Sequence, residues 1–200
     1  MNEETPAPTV RVFIALAPPD EAKQELAREL GPAYEAHPRM RWNRIEDWHI
    51  TLAFLGEVPS EVVSLLRAPL AELAAARRPP LTLALHGGGH FDERVLWAGI
   101  TGELDALHDL AADVRGEVEE CGIALPDRRF RPHLTLARAR RDTPSCAPRA
   151  ATGLADFAGH PWLTERLHLV AGAVGRGPGP IRYRDVAAWA FGGGREGAAE

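Results

Sequence analysis

The chain is poor in cysteine. Two thiols, Cys121 and Cys146, stand among 200 residues without a CxxC spacing, which excludes a disulfide framework and suits a reducing cytosol. Long apolar runs are missing too, and none approaches the roughly 20 residues of a membrane span. Met1 to Pro8 is acidic and proline-containing where a secretory leader would be basic and then apolar, so a cytoplasmic, membrane-free protein is expected. A basic balance is also lacking: the formal net charge is -5, which excludes a general nucleic-acid coat protein. Finally, the sequence has no convincing metal-ligand set. His86 and His90 bracket Gly87-Gly88-Gly89, but Asp92 and Glu93 are their only acidic neighbours and the spacing is not diagnostic. The triple glycine lacks the Lys-Ser/Thr of a phosphate loop and is expected to make a turn.

What is present is enough apolar residue, 45% of the chain, to bury one sizeable core. Strand-like runs are expected at Thr9 to Leu16, Met40 to Trp42 and His49 to Leu55, the last closed by Gly56. Leu81 to Leu85 and Arg94 to Ile100 should form a hairpin over the glycine run, and Glu165 to Ala173 and Ile181 to Ala190 a second pair. Helical periodicity marks Asp20 to Leu30, Ser60 to Ala76 with a kink at Pro69, and Glu103 to Cys121 with Gly122 as its left-handed cap. Asp142 to Gly153 has the composition of an exposed loop. Strands and helices mix without steady βαβ alternation, which points to α+β with antiparallel-rich sheets.

One pattern occurs twice. His49-Ile50-Thr51-Leu52 and His133-Leu134-Thr135-Leu136 each follow a strand-like run and a helix-like run, with 37 positions from Val12 to His49 and 38 from Val95 to His133. This reads as an internal duplication giving two lobes across a cleft, within a single domain of residues 9–191 between a disordered tail at 1–8 and a flexible one at 192–200. Strand alternation puts His49 with Thr51 and His133 with Thr135 on the cleft face, and turns Ile50, Leu52, Phe54, Leu134 and Leu136 inward. Two imidazoles from opposing lobes suit in-line displacement at phosphorus, one as acid and one as base. The threonine hydroxyls can hold non-bridging oxygens. Six arginines and no acid lie between Arg128 and Arg141, around the second motif, and suggest an anionic ligand.

These residues, with Arg11 to Leu16, His49 to Gly56, Arg94 to Trp97, Arg131 to Arg138 and a C-terminal strand through Tyr183, resemble the two-histidine (2H) phosphoesterase superfamily, within it the RNA 2',3'-cyclic phosphodiesterases or 2'-5' RNA ligase-like proteins. The resemblance implies a bilobal fold with pseudo-twofold symmetry and metal-independent hydrolysis of a 2',3'-cyclic phosphate to a 2'-phosphomonoester, reversible as 2'-5' ligation, with no cofactor. It further implies that His49 is the proton donor and His133 the proton acceptor, roles that the sequence itself leaves interchangeable. Arg138 matches a basic position of the family, although alternation places it on the face opposite His133, so a bulge or a long reach is required. Arg131 is a second candidate for the phosphate. Phe13, Trp42, Phe130 and Tyr183 are candidates to stack on a base, set against the ordinary use of strand aromatics as core. Gly172-Ala173-Val174 lacks the serine of many relatives. The expected partner is RNA with a 2',3'-cyclic phosphate end, tRNA fragments included, and a monomer is expected. The competing readings are a phosphoesterase of small cyclic nucleotides or ADP-ribose cyclic phosphate, and a non-catalytic RNA-end-binding module.

Overall fold

The computed structural model describes residues 8–76, 80–140, 146–173 and 183–192. The expected tails at 1–8 and 192–200, apart from Pro8 and Gly192, and the connection between the expected strands Glu165 to Ala173 and Ile181 to Ala190, with the first two residues of the latter, lie outside them.

Elements follow the sequence in the order β1 (Thr9–Leu16), α1 (Asp20–Glu29), α2 (Gly31–Ala36), β2 (Arg41–Trp42), β3 (Ile50–Pro59), α3 (Val62–Ala76), β4 (Leu81–Phe91), β5 (Val95–Gly102), α4 (Leu104–Glu120), β6 (His133–Arg138), α5 (Ala147–Thr152), β7 (Trp162–Thr164), β8 (Arg166–Ala173) and β9 (Tyr183–Ala190). The α+β, antiparallel, two-lobed expectation holds. Among the described residues the lobes share one sheet, ordered β7, β4, β5, β6, β3, β1, β8, β9, with β2 on β6. Within the sheet, β3 and β6 pair at one position, Ile50 opposite Leu134.

Helices cover one face of this sheet. Leu66, Leu70 and Ala74 of α3 and Leu107, Leu110, Ala111, Val114 and Val118 of α4 close over Val12, Ile14, Leu16, Leu167 and Leu169. Leu26 of α1 and Ala147, Ala150 and Ala151 of α5 close over Leu85, Leu96, Ala98, Leu134 and Leu136. Each fully buried leucine contributes about 1.5–3 kcal/mol relative to exposure. Among the described residues, no helix is long and apolar enough to cross a membrane.

Three expectations need correction. The glycine run is not a turn: β4 continues through it to Phe91, and the chain reverses at Asp92 and Glu93, both at positive φ (47° and 55°). Gly87, at φ 63°, is the bulge of this strand. A Cβ on Gly88 would meet Leu154 at 2.6 Å, and one on Gly89 would enter the Trp97 ring. Close packing therefore demands these glycines. Second, Ala147–Thr152 forms α5 inside the stretch expected to be a loop, because Ala147, Ala150 and Ala151 fall on one buried face. Third, β3 runs past Gly56, which sits at φ 75° inside the strand.

Candidate active site

The uncovered face of the sheet carries the repeated motif. Ile50 and Leu134 point into the cores, so His49, Thr51, His133 and Thr135 turn to the other side. Antiparallel pairing of Ile50 with Leu134 sets the residues flanking each across from those flanking the other, bringing His49 toward Thr135 and Thr51 toward His133. A pseudo-twofold axis thus passes through the Ile50–Leu134 pair.

Both strands then break phase at the same place. In β3, Ile14 pairs with Ala53 while the next residue, Ala15, pairs with Thr51, leaving Leu52 bulged. In β6, Leu96 pairs with Ala137 while Trp97 pairs with Thr135, leaving Leu136 bulged. After a bulge the two faces exchange. Ala53 and Ala137 are consequently buried, and the following residues return to the histidine face. Arg138 therefore shares a face with His133, which simple alternation denied. By the same shift Phe54, expected inward, is turned out and is 48% exposed; it occupies in the first lobe the place of Arg138 in the second. These registers also make Phe13, rather than Val12, the counterpart of Val95.

The segment before β3 holds the second bulge in place. Asn43 N–H donates to Leu136 O at 2.8 Å, and Asn43 Nδ2 donates to Thr135 O at 2.9 Å. Arg41 pairs with Arg138 across β2 and β6, which puts a second guanidinium on the same face. Neither Asn43 nor Arg41 was singled out from the sequence. Only the pairing of a two-residue strand reveals them, and such a strand carries no periodic signal.

Each histidine is oriented in the same way. His49 Nδ1 lies 2.7 Å from Asp47 O, and His133 Nδ1 lies 2.6 Å from Arg131 O. A carbonyl only accepts, so Nδ1 carries the hydrogen in both rings and Nε2 is the nitrogen presented to a ligand. Aromatic contacts fix the planes: Phe13 stacks on His49 at 4.4 Å, and Phe91 meets His133 edge-on at 4.8 Å. Burial pushes both imidazoles below the ordinary 6.5. The backbone carbonyls of Asp47 and Arg131 oppose the fall in both rings; at His49 the Asp47 charge also opposes it while the His133 and Lys23 charges add to it, and at His133 the Arg138 charge adds to it.

The remaining candidates scatter. Phe13 is buried, with His49 lying on its ring, and Tyr183 packs edge-on against it at 5.1 Å. Opposite Gly172 in the register, Tyr183 reaches Arg11, which also pairs with Glu57 at 2.9 Å. These two partners outweigh desolvation and raise the guanidinium pKa. Trp42 pairs with core-facing Ala137 and donates Nε1–H to His37 O, so it is turned away from the histidines. Phe130 packs edge-on against His108 of α4, on the helix side. The Arg131 guanidinium is exposed, and its backbone carbonyl is what serves His133. Among the described residues, no group of three or more His, Cys, Asp and Glu is placed to hold a metal ion.

Solved structures share this architecture. Escherichia coli LigT in its apo form aligns with a TM-score of 0.72 at 25% identity, over 92% of this chain and 99% of that one. A Geobacillus stearothermophilus RNA 2',3'-cyclic phosphodiesterase is 39% identical over 146 residues, 71% of this chain and 46% of that protein. The chain thus spans less than half the length of that relative. An Escherichia coli K12 protein of the same name is 29% identical over 69% of this chain and 77% of its own length. The model of the 2'-5' RNA ligase superfamily matches residues 17–176, and the chain, with its paired motifs and shared fold, belongs to that superfamily.

Proposed function

We propose that this protein is an RNA 2',3'-cyclic phosphodiesterase that opens the cyclic phosphate to a 2'-phosphomonoester. The observation that carries the reading is the matched pair of imidazoles, each with Nδ1 tied to the carbonyl two residues earlier and Nε2 free, on one sheet face about a pseudo-twofold axis. The names borne by the Geobacillus and Escherichia coli relatives agree with it.

His133 Nε2 takes a proton from water, the water oxygen attacks phosphorus, the P–O3' bond breaks, and His49 Nε2–H protonates the leaving 3'-oxygen. The local charges favour this division of roles. Arg138 beside His133 disfavours a protonated ring and so suits a base, while at His49 the Asp47 charge, set against the lesser influences of His133 and Lys23, favours a protonated one. Thr51 and Thr135 donate hydroxyls to the non-bridging oxygens, and Arg138, with Arg41 next to it, neutralises the phosphate. Arg131, one residue before Pro132-His133, adds positive charge at the entrance. Tyr183 and Phe13 stay with the substrate side of His49, Tyr183 as a wall and Phe13 as the support beneath the imidazole. Trp42 and Phe130 take no part in binding the base. The reaction needs no metal, runs in reverse as weak 2'-5' ligation, and is carried out in the cytoplasm by a monomer, with residues 9–191 acting as one bilobal domain on RNA ends such as those of tRNA fragments.

The test is turnover of a short RNA ending in a 2',3'-cyclic phosphate beside ADP-ribose cyclic phosphate, with the product identified by phosphorus NMR. A 2'-phosphate from the RNA, formed faster than any product from ADP-ribose cyclic phosphate, is expected. A 3'-phosphate, or turnover of the ADP-ribose compound alone, would overturn the proposal.

A further inference from the structure

A cavity of about 300 Å3 opens beside His49, and its lining includes Phe13, Lys23, His168, Tyr183 and Asp185. The sheet registers explain why it exists. Along β8, Leu167, Leu169 and Ala171 enter the core, so His168 and Val170 face the catalytic side. His168 is opposite Ala15, and Ala15 is opposite Thr51, so the row from Thr51 to His168 crosses only a methyl group. On β9 a register shift leaves Val186 bulged, with Leu169 opposite Ala187 and Val170 opposite Asp185. This brings the Asp185 carboxylate next to His168, whose Nδ1 lies 2.8 Å from Oδ2. The His168 side chain is 17% exposed and that of Asp185 46%.

The catalytic steps above use neither residue, yet both face the space beside the acid. A carboxylate accepts, so Nδ1 of His168 donates to it, leaving Asp185 Oδ1 and His168 Nε2 for a ligand. Glu46, Asp47 and Asp185 are among the lining residues; the Glu46 carboxylate is paired with Arg44 at 3.2 Å, and the buried Lys23 ammonium donates to Glu46 O at 3.4 Å. Arg184 also lines the cavity and, like Asp185, is exposed. Aromatic walls with hydrogen-bond acceptors beside them fit a flat heterocycle that carries N–H donors.

We propose that the His168–Asp185 pair is a specificity determinant that reads the base of the terminal nucleotide and prefers one with an exocyclic amine over uracil. The proposal rests on the phosphodiesterase reading. Cytosine and uracil are nearly isosteric and differ where it matters, an amino group against a carbonyl oxygen that a carboxylate would repel.

The experiment compares kcat/KM for 2',3'-cyclic CMP and 2',3'-cyclic UMP in wild type, Asp185→Asn and His168→Ala, each ratio being taken on one preparation so that the active fraction cancels. Wild type should favour the cytosine substrate roughly tenfold or more. Asp185→Asn, which can offer an N–H to uracil, should bring the ratio within about threefold of unity through KM, leaving kcat on cyclic CMP within about threefold. His168→Ala should weaken the preference in the same direction. A wild-type ratio near one, or a preference that survives Asp185→Asn, overturns the proposal. Affinity for 2'-CMP and 2'-UMP, measured in parallel, separates the two claims. A cytosine preference abolished by Asp185→Asn in a protein that turns over neither the cyclic nucleotides nor a short RNA ending in a 2',3'-cyclic phosphate upholds the pocket and counts against the phosphodiesterase reading.

Discussion

The two imidazoles differ in their surroundings more than in their placement, and pH exposes the difference. Both pKa values lie below 6.5 in the folded protein. A reaction that needs one ring neutral and the other charged is fastest between the two values, so the kcat/KM profile should be bell-shaped with its optimum on the acid side of about 6.5. An optimum above about 7.5 would contradict the paired assignment. Arg138→Ala removes a charge that lowers the His133 pKa, so one limb of the bell should move to higher pH while kcat/KM falls roughly tenfold to a hundredfold. Folding stability carries the same sign. Because the native histidines bind protons more weakly than the unfolded chain, their contribution is complete above about 6.5 and is lost as pH falls from there through the depressed native values. Urea midpoints should therefore drop between about pH 7 and pH 5, less steeply in a His49→Gln, His133→Gln variant; equal slopes would count against buried neutral imidazoles.

At the scale of elements, the bulges decide where chemistry-bearing side chains point. Asn43→Ala keeps the backbone bond to Leu136 O but loses the side-chain bond to Thr135 O, so it should cost about 0.5–1.5 kcal/mol of stability and lower kcat as Arg138 loses its fixed orientation. A variant with wild-type kcat would separate the bulge from catalysis. Gly89 is fixed by contact: Gly89→Ala forces its methyl into the Trp97 ring and should destabilise by about 1–3 kcal/mol, an effect relieved in a Trp97→Leu background. These elements also show what could be read from the chain. The bounds of β1, the core of α4 and both His-x-Thr faces followed from periodicity, because apolar side chains on a single buried face impose it. Phe54, Arg138 and the glycine run in β4 did not, since a bulge changes phase without any local signature and a glycine needed for close packing looks like one needed for a turn. Arg41 and Asn43 depend on a two-residue strand, and the His168–Asp185 contact depends on which strands end up as neighbours, a property of the whole sheet.

At the scale of the molecule, one sheet, in which β3 and β6 pair at Ile50 and Leu134, holds the two His-x-Thr motifs on one face about a pseudo-twofold axis. The helices are exchanged between lobes. α1 follows β1 of the first lobe yet packs against β4, while α4 follows β5 of the second yet packs against β3. This exchange couples the lobes and keeps the histidine face uncovered. The symmetry is broken at Phe54 in one lobe, where Arg138 stands in the other, and at the cavity of about 300 Å3 beside His49. The most direct measurement is hydrolysis of a short RNA ending in a 2',3'-cyclic phosphate, in EDTA, by wild type, His49→Ala and His133→Ala, with thermal midpoints recorded alongside. Wild type should yield a 2'-phosphate at full rate in EDTA, and each variant, still folded, should lose at least roughly a hundredfold in kcat. Loss of wild-type activity in EDTA, or a folded single variant that keeps its rate, would contradict the two-histidine account.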